Sequence, residues 1–267
     1  MTYKYIRVCS EGEIVTLYLN RPEVLNALNN LLMQELLDAF TSLPETTRLV
    51  MLRGAGGVSL AAGADLNEMG QRSMWSEMDF GVRRELARRL SSAPFLTLAV
   101  IEGFALGGGM ELALACHLRV AKSDATVGLP ETRLGIVPGN GGATRLTQLV
   151  GVSRALQLIL LGEHLKADEA FDLGIINWVF SPESFDDELE NLKRKLGRLS
   201  PLSTRAVIDS VYKSVDLPVH HSIENEQRWF QLCMESPDKR EGLNAFFEKR
   251  QANFAANNSS YLEMSGK

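Results

Sequence analysis

Two glutamates stand twenty positions apart, each beside a cluster of glycines: Glu111 in ALGGGMELALAC (105–116) and Glu131 in GLPETRLGIVPGNGG (128–142). Two carboxylates around one cleft can act as a general acid and a general base, provided their environments keep one protonated and the other ionised. The glycines add a second capability. A glycine-rich helix start leaves its first N–H groups bare and carries the positive end of the helix dipole. A carbonyl oxygen gaining negative charge would be stabilised there. Taken segment by segment, a structural reading of the same residues comes first. Glycines turn the chain, an acid in the first turn complements the dipole, and Glu131 could be a solvated loop carboxylate neutralised by Arg133.

The elements that would position these groups alternate between β-rich and helical runs. Strands are predicted over Ile14–Leu19, Leu49–Arg53, Phe95–Ile101, Leu118–Ala121, Thr126–Gly128 and Ile175–Phe180. Helices are predicted over Leu31–Leu43, Asp79–Leu90, Gly108–Cys116, Ala143–Val150 and Ala167–Leu173. Pro130 and Pro138 bracket a constrained loop holding Glu131, with Gly139, Gly141 and Gly142 allowing tight paths before the next helix. After Pro182 the strand signals cease, and Asp187–Leu199, Pro201–Val215 and His220–Asn253 read as helices. The pattern is α/β, and periodicity alone favours a doubly wound sheet.

Five strings, in order, carry a family resemblance: NRPEVLNAL (20–28), AAGADLNEM (61–69), GFALGGGMELALAC (103–116), LPETRLGIVPGNGGATRL (129–146) and GLNAFFEKRQANF (242–254). They resemble the enoyl-CoA hydratase/isomerase family, the crotonases, from about residue 5 to 254. The resemblance implies a ββα superhelical spiral core over 1–200 and a C-terminal helical trimerisation region over 201–267. It implies that the N–H groups of Ala64 and Gly108 form an oxyanion hole for an acyl thioester, and that Glu111 and Glu131 are the catalytic pair. Ionised Glu111 would take a proton from an attacking water while protonated Glu131 supplies one to C2. Substrate-binding positions carried over are Leu25, Asn26, Ala27, Ala62, Asp65, Leu66 and Asn67, with Phe246 and Lys249 approaching a neighbouring subunit's site in related trimers. For Arg21 and Asn26, turn chemistry is an equal alternative, and Lys249 could equally be a solvated helix lysine. The implied reaction is hydration of a trans-2-enoyl-CoA to a 3-hydroxyacyl-CoA. A Δ3-Δ2-enoyl-CoA isomerase is the alternative within the family, and a non-catalytic CoA-binding protein the alternative outside it. The implied partners are the acyl-CoA substrate and further copies of the chain as a trimer or hexamer. No cofactor is expected beyond the CoA of the substrate.

Composition agrees with such an enzyme. Of 267 residues, 45% are hydrophobic and 23% charged, ordinary for an α/β protein, and the net charge of −5 argues against general nucleic-acid binding. The basic run Arg83, Arg84, Arg88, Arg89 repeats at helical intervals and reads as a solvated face in preference to a contact for CoA phosphates. Neither GAGGVS (54–59) nor GNGGAT (139–144) fits a dinucleotide fingerprint, and there is no P-loop. Cys9, Cys116 and Cys233 are unpaired in spacing, which suits a reducing compartment, and His117, His164, His220 and His221 form no ligand pattern. His117 reads as structural. No metal, no membrane span and a cytoplasmic, bacterial protein are therefore expected. The segment from Gly70 to Phe80, with Met74, Trp75 and Met78, either shapes the acyl end of the pocket or packs as loop and helix. Trp229, Phe230, Phe246 and Phe247 are expected as core or subunit-interface anchors.

Overall fold

The computed structural model describes residues 2–254. The chain divides into two compact units, one of residues 2–93 and 97–190 and the other of residues 94–96 and 191–254. The first unit opens with β1 (Ile6–Glu11) and β2 (Ile14–Leu19), an antiparallel pair, followed by α1 (Asn30–Thr41) and β3 (Leu49–Gly54). Asn29 caps α1 by accepting the N–H of Leu32. Three helices follow: α2 (Leu66–Met69), α3 (Met74–Asp79) and α4 (Val82–Ser91). Then come β4 (Leu96–Ile101), β5 (Phe104–Leu106), α5 (Gly108–Ala115), β6 (Leu118–Lys122) and β7 (Thr126–Gly128). The unit continues through α6 (Gly142–Val150), α7 (Val152–Leu161), β8 (His164–Lys166), α8 (Ala167–Asp172) and β9 (Trp178–Phe180).

The strands form two sheets, one of six in the order β1-β2-β3-β4-β6-β9 and one of three in the order β5-β7-β8. Consecutive strands β4 and β5 lie in different sheets, as do β6 and β7, and α5 separates the two pairs. Each turn of chain thus adds a strand to each sheet and then a helix, which is the ββα spiral of the crotonase fold and not a doubly wound sheet. Burial on both faces explains why β4 is apolar but for Thr97, since all six of its residues are buried and the Thr97 hydroxyl donates to Leu90 O.

Helices α9 (Phe185–Gly197), α10 (Pro201–Asp216), α11 (Val219–Met234) and α12 (Pro237–Phe247) complete the chain. The single helix predicted over His220–Asn253 is two, because Pro237 lacks an N–H and begins α12 under the cap of Ser236. Likewise Asp79–Leu90 is broken between α3 and α4, and α3 begins at a capping box from Ser73 to Ser76. Of Ile175–Phe180 only the last three residues pair as a strand. Ile175 and Ile176 are buried ahead of it and contribute hydrophobic core. Strands β1, β5 and β8 and helix α7 had no clear sequence signal. β1 is largely exposed and β5 and β8 are three residues each, too short for a periodicity. The polar stretch from Ala255 and the side chain of Met78 lie outside the described residues.

Candidate active site

The triple glycine is dictated by two close approaches. Gly107 adopts φ 51° and ψ −123°, which side chains resist, and a Cβ on Gly109 would lie 2.2 Å from the carbonyl oxygen of Ala61. Together they press the start of α5 against the segment 60–65. That segment is stitched on both sides. Ala61 pairs with Ala105 through bonds from Ala61 N–H to Phe104 O (3.2 Å) and from Leu106 N–H to Ala61 O (3.1 Å). Leu28 pairs with Ala64 through bonds from Leu28 N–H to Gly63 O (2.9 Å) and from Asp65 N–H to Leu28 O (3.1 Å). In a parallel bridge of this form the Ala64 N–H points away from Leu28. Gly108 is the first residue of α5, so its N–H has no partner within the helix, and no side chain caps it. Both residues line one cavity of about 590 Å³.

Glu111 and Glu131 face the same cavity from opposite chemical settings. Glu111 is 4% exposed and accepts three N–H bonds, from Asn140 N (2.7 Å) and Gly142 N (3.0 Å) to Oε1 and from Asn140 Nδ2 (2.9 Å) to Oε2. A carboxylate has about four lone-pair sites, so one on Oε2 is left to receive a water. Gly142 is required here, since a Cβ would stand 2.9 Å from Glu111 Cγ. Glu131 opens a 3₁₀ turn, Glu131–Leu134, and its carboxyl lies beside Gly107. Its Oε2 is buried without a hydrogen-bond partner, and burial, with a smaller push from the Glu111 charge, raises its pKa to about 7. Among the described residues no ion pair joins it to Arg133.

The cavity brings together Glu111, Glu131, Ala64, Gly108, Ala62 and Leu66. Leu25, Asn26, Ala27, Asp65 and Asn67 are not among its lining residues. Asn26 is fully buried at φ 56°, accepts Arg21 N–H and donates to Ala55 O and Ser59 O, so its side chain holds the turn. Arg21 pairs with Asp65 at 3.1 Å and donates to Ala27 O, and this bond is the main cause that holds the Asp65 carboxyl below its usual range. Phe246 and Lys249 belong to the second unit, where Phe246 is 76% exposed and Lys249 adopts a left-handed φ of 52°. Leu129 is buried but is not among the lining residues.

Sequence reasoning missed Asn140, whose backbone and side chain both hold Glu111, because a loop asparagine has no distinctive spacing. It also misread Arg83. That residue is 7% exposed and lines the cavity with Arg72, so the basic run is not wholly a solvated face. Met74 lines the cavity, whereas Trp75 is 67% exposed and is not among the lining residues. His117 is structural: its Nδ1 accepts Thr97 N–H at 3.1 Å, its Nε2 lies 3.2 Å from Ser91 O, and burial lowers its pKa to about 4. Among the described residues no three His, Cys, Asp or Glu side chains gather as a metal site, and no helix is long and apolar enough to cross a membrane.

The profile of the Enoyl-CoA hydratase/isomerase family matches residues 10–257. A crotonyl-CoA hydratase of Syntrophomonas wolfei is 36% identical over 257 residues, 95% of this chain and 99% of that protein. A short-chain-enoyl-CoA hydratase of Clostridium acetobutylicum is 34% identical over 90% of this chain and 94% of its own length. The crystal structure of an enoyl-CoA hydratase from Bacillus anthracis superposes with a TM-score of 0.90 at 32% identity, covering 95% of this chain and all of that one.

Proposed function

The chain belongs to the enoyl-CoA hydratase/isomerase family, and from that premise we propose that it hydrates trans-2-enoyl-CoA thioesters through Glu111, Glu131 and the N–H groups of Ala64 and Gly108. The thioester carbonyl oxygen sits between the two N–H donors. Glu111 takes a proton from a water shared by the two carboxyl groups, and the water oxygen bonds to C3. The electron pair of the double bond moves toward the carbonyl oxygen, where the two amides stabilise the growing charge. Glu131 gives its proton to C2, leaving a 3-hydroxyacyl-CoA, and proton exchange with solvent restores both carboxyl groups. Losing one preorganised donor of this kind costs about 2.7–4 kcal/mol of transition-state stabilisation.

The observation that carries this reading is the contrast between the two glutamates in one cavity. Glu111 is clamped by three N–H donors, whereas Glu131 is buried, unbonded at Oε2 and titrates near 7. A base and an acid for one reaction need such divergence. The second unit supports self-association, as in a trimer or hexamer, by exposing Val207, Val211, Val215, Phe230, Phe246 and Phe247. Three free cysteines suit a cytoplasmic setting. Incubation with crotonyl-CoA tests the activity directly: loss of the conjugated thioester absorbance with gain of one water in the product mass supports hydration. Unchanged substrate, together with conversion of a 3-enoyl-CoA to its 2-enoyl isomer, would replace hydration by isomerisation.

A further inference from the structure

Beyond the two glutamates, the cavity wall contributed by α2–α4 carries charge that the hydration chemistry leaves unused. Arg72 and Arg83 both line it, with side chains 12% and 8% exposed. Arg72 Nη2 pairs with Glu68 at 2.9 Å, and Glu68 is itself fixed by the Asn30 N–H. Arg83 Nη2 donates to Asn30 Oδ1. What remains is Arg72 Nε and Arg83 Nη1, two buried N–H groups with no hydrogen-bond acceptor. Both converge on one oxygen, Glu77 Oε1, at 3.4 and 3.6 Å, too far for either to bond well. Glu77 is 47% exposed and can leave toward water with little loss. Burial and the neighbouring Arg72 charge lower the Arg83 pKa, so an added anion would be welcome there.

We propose that Arg72 and Arg83 receive a carboxylate at the far end of the acyl chain, so that the preferred substrates are trans-2-enoyl-CoA thioesters of dicarboxylic acids. The inference rests on the hydratase reading above and adds the substrate class. The incoming carboxylate takes the Arg72 Nε–H and Arg83 Nη1–H together, and Glu77 swings outward. A methyl-ended chain would leave both buried donors unpaired against hydrocarbon, which is the arrangement that discriminates most strongly between substrates.

The test compares kcat/KM for trans-hex-2-enedioyl-CoA, which keeps one free carboxylate, with trans-hex-2-enoyl-CoA of equal length, with crotonyl-CoA as the control. The wild-type ratio is expected at about tenfold or more in favour of the carboxylate. Arg83→Met and Arg72→Met are each expected to carry the ratio toward one, and Glu77→Gln, at a half-exposed position, to raise it. Circular dichroism establishes that each variant is folded, and the wild-type and Glu77→Gln ratios decide the matter if an arginine variant is not. A wild-type ratio at or below one, with hexenoyl-CoA or crotonyl-CoA hydrated, overturns the proposal and leaves the hydratase reading intact. An Arg83→Met variant that slows both substrates equally also overturns it, assigning Arg83 instead to the field around Glu111. If none of the three thioesters is hydrated, the hydratase reading falls and the proposal with it.

Discussion

Replacing Glu131 by glutamine separates the stability of the fold from the chemistry of the site. In the folded protein Glu131 titrates at about 7 against an ordinary value of 4.5, chiefly because burial disfavours its charge. A folded pKa raised above the unfolded one means that the folded state holds the proton more tightly between those two values. The contribution of Glu131 to stability is therefore complete below about 4.5, falls as pH rises, and is lost above about 7. The interval from 4.5 to about 7, at 1.36 kcal/mol per pH unit, gives about 3 kcal/mol, undiscounted because the residue is only 9% exposed. Glutamine does not ionise, so Glu131→Gln should gain about 3 kcal/mol over the wild type between pH 4.5 and 8. Urea unfolding followed by circular dichroism at one protein concentration reads this directly, and any constant packing difference cancels in the change with pH. A difference that stays flat to within about 1 kcal/mol across that range would refute the assignment of a buried, protonated carboxyl.

Four further outcomes follow from the same geometry. In the wild type, the alkaline limb of kcat/KM should lie at a pH of about 7, where Glu131 loses its proton, as a pH–rate profile would record. Gly109→Ala drives a Cβ to 2.2 Å from Ala61 O, so the segment bearing Ala64 must shift; steady-state kinetics should show about a hundredfold loss or more in kcat/KM. Asn140→Ala removes one of three bonds to Glu111 and leaves the two backbone donors, so kcat should drop by about tenfold with KM little changed. Arg119, 4% exposed, donates to the carbonyls of Ile175, Cys116 and Ala113, and Arg119→Met should cost about 3 kcal/mol in urea unfolding by leaving those of Ile175 and Cys116 without its donors.

What could be read from the sequence was what leaves a local signature. The helix behind the triple glycine, the loop between Pro130 and Gly142 and both glutamates are set by glycine, proline and charge within a few residues, so their place at the site was legible. The spiral was not legible from periodicity, because β4 followed by β5 looks the same whether the two strands share a sheet or divide between two. Asn140 was invisible for a related reason, since its bond to Glu111 spans 29 positions. Arg83 was misread because a helix of arginines looks solvated until α1, the turn after α2 and α3 supply Asn30, Arg72 and Glu77 around it. Asn26 had two open readings, and burial at a left-handed φ gives its side chain a part in the turn that the sequence could not single out.

The division of labour between the glutamates is tested most directly by crotonyl-CoA hydration kinetics on the wild type, Glu111→Gln, Glu131→Gln and the double variant. Each single substitution should lower kcat by about 10²–10⁴-fold, and the double should fall little further, because acid and base act on one water as a unit. A single variant that keeps near-full activity would contradict the account.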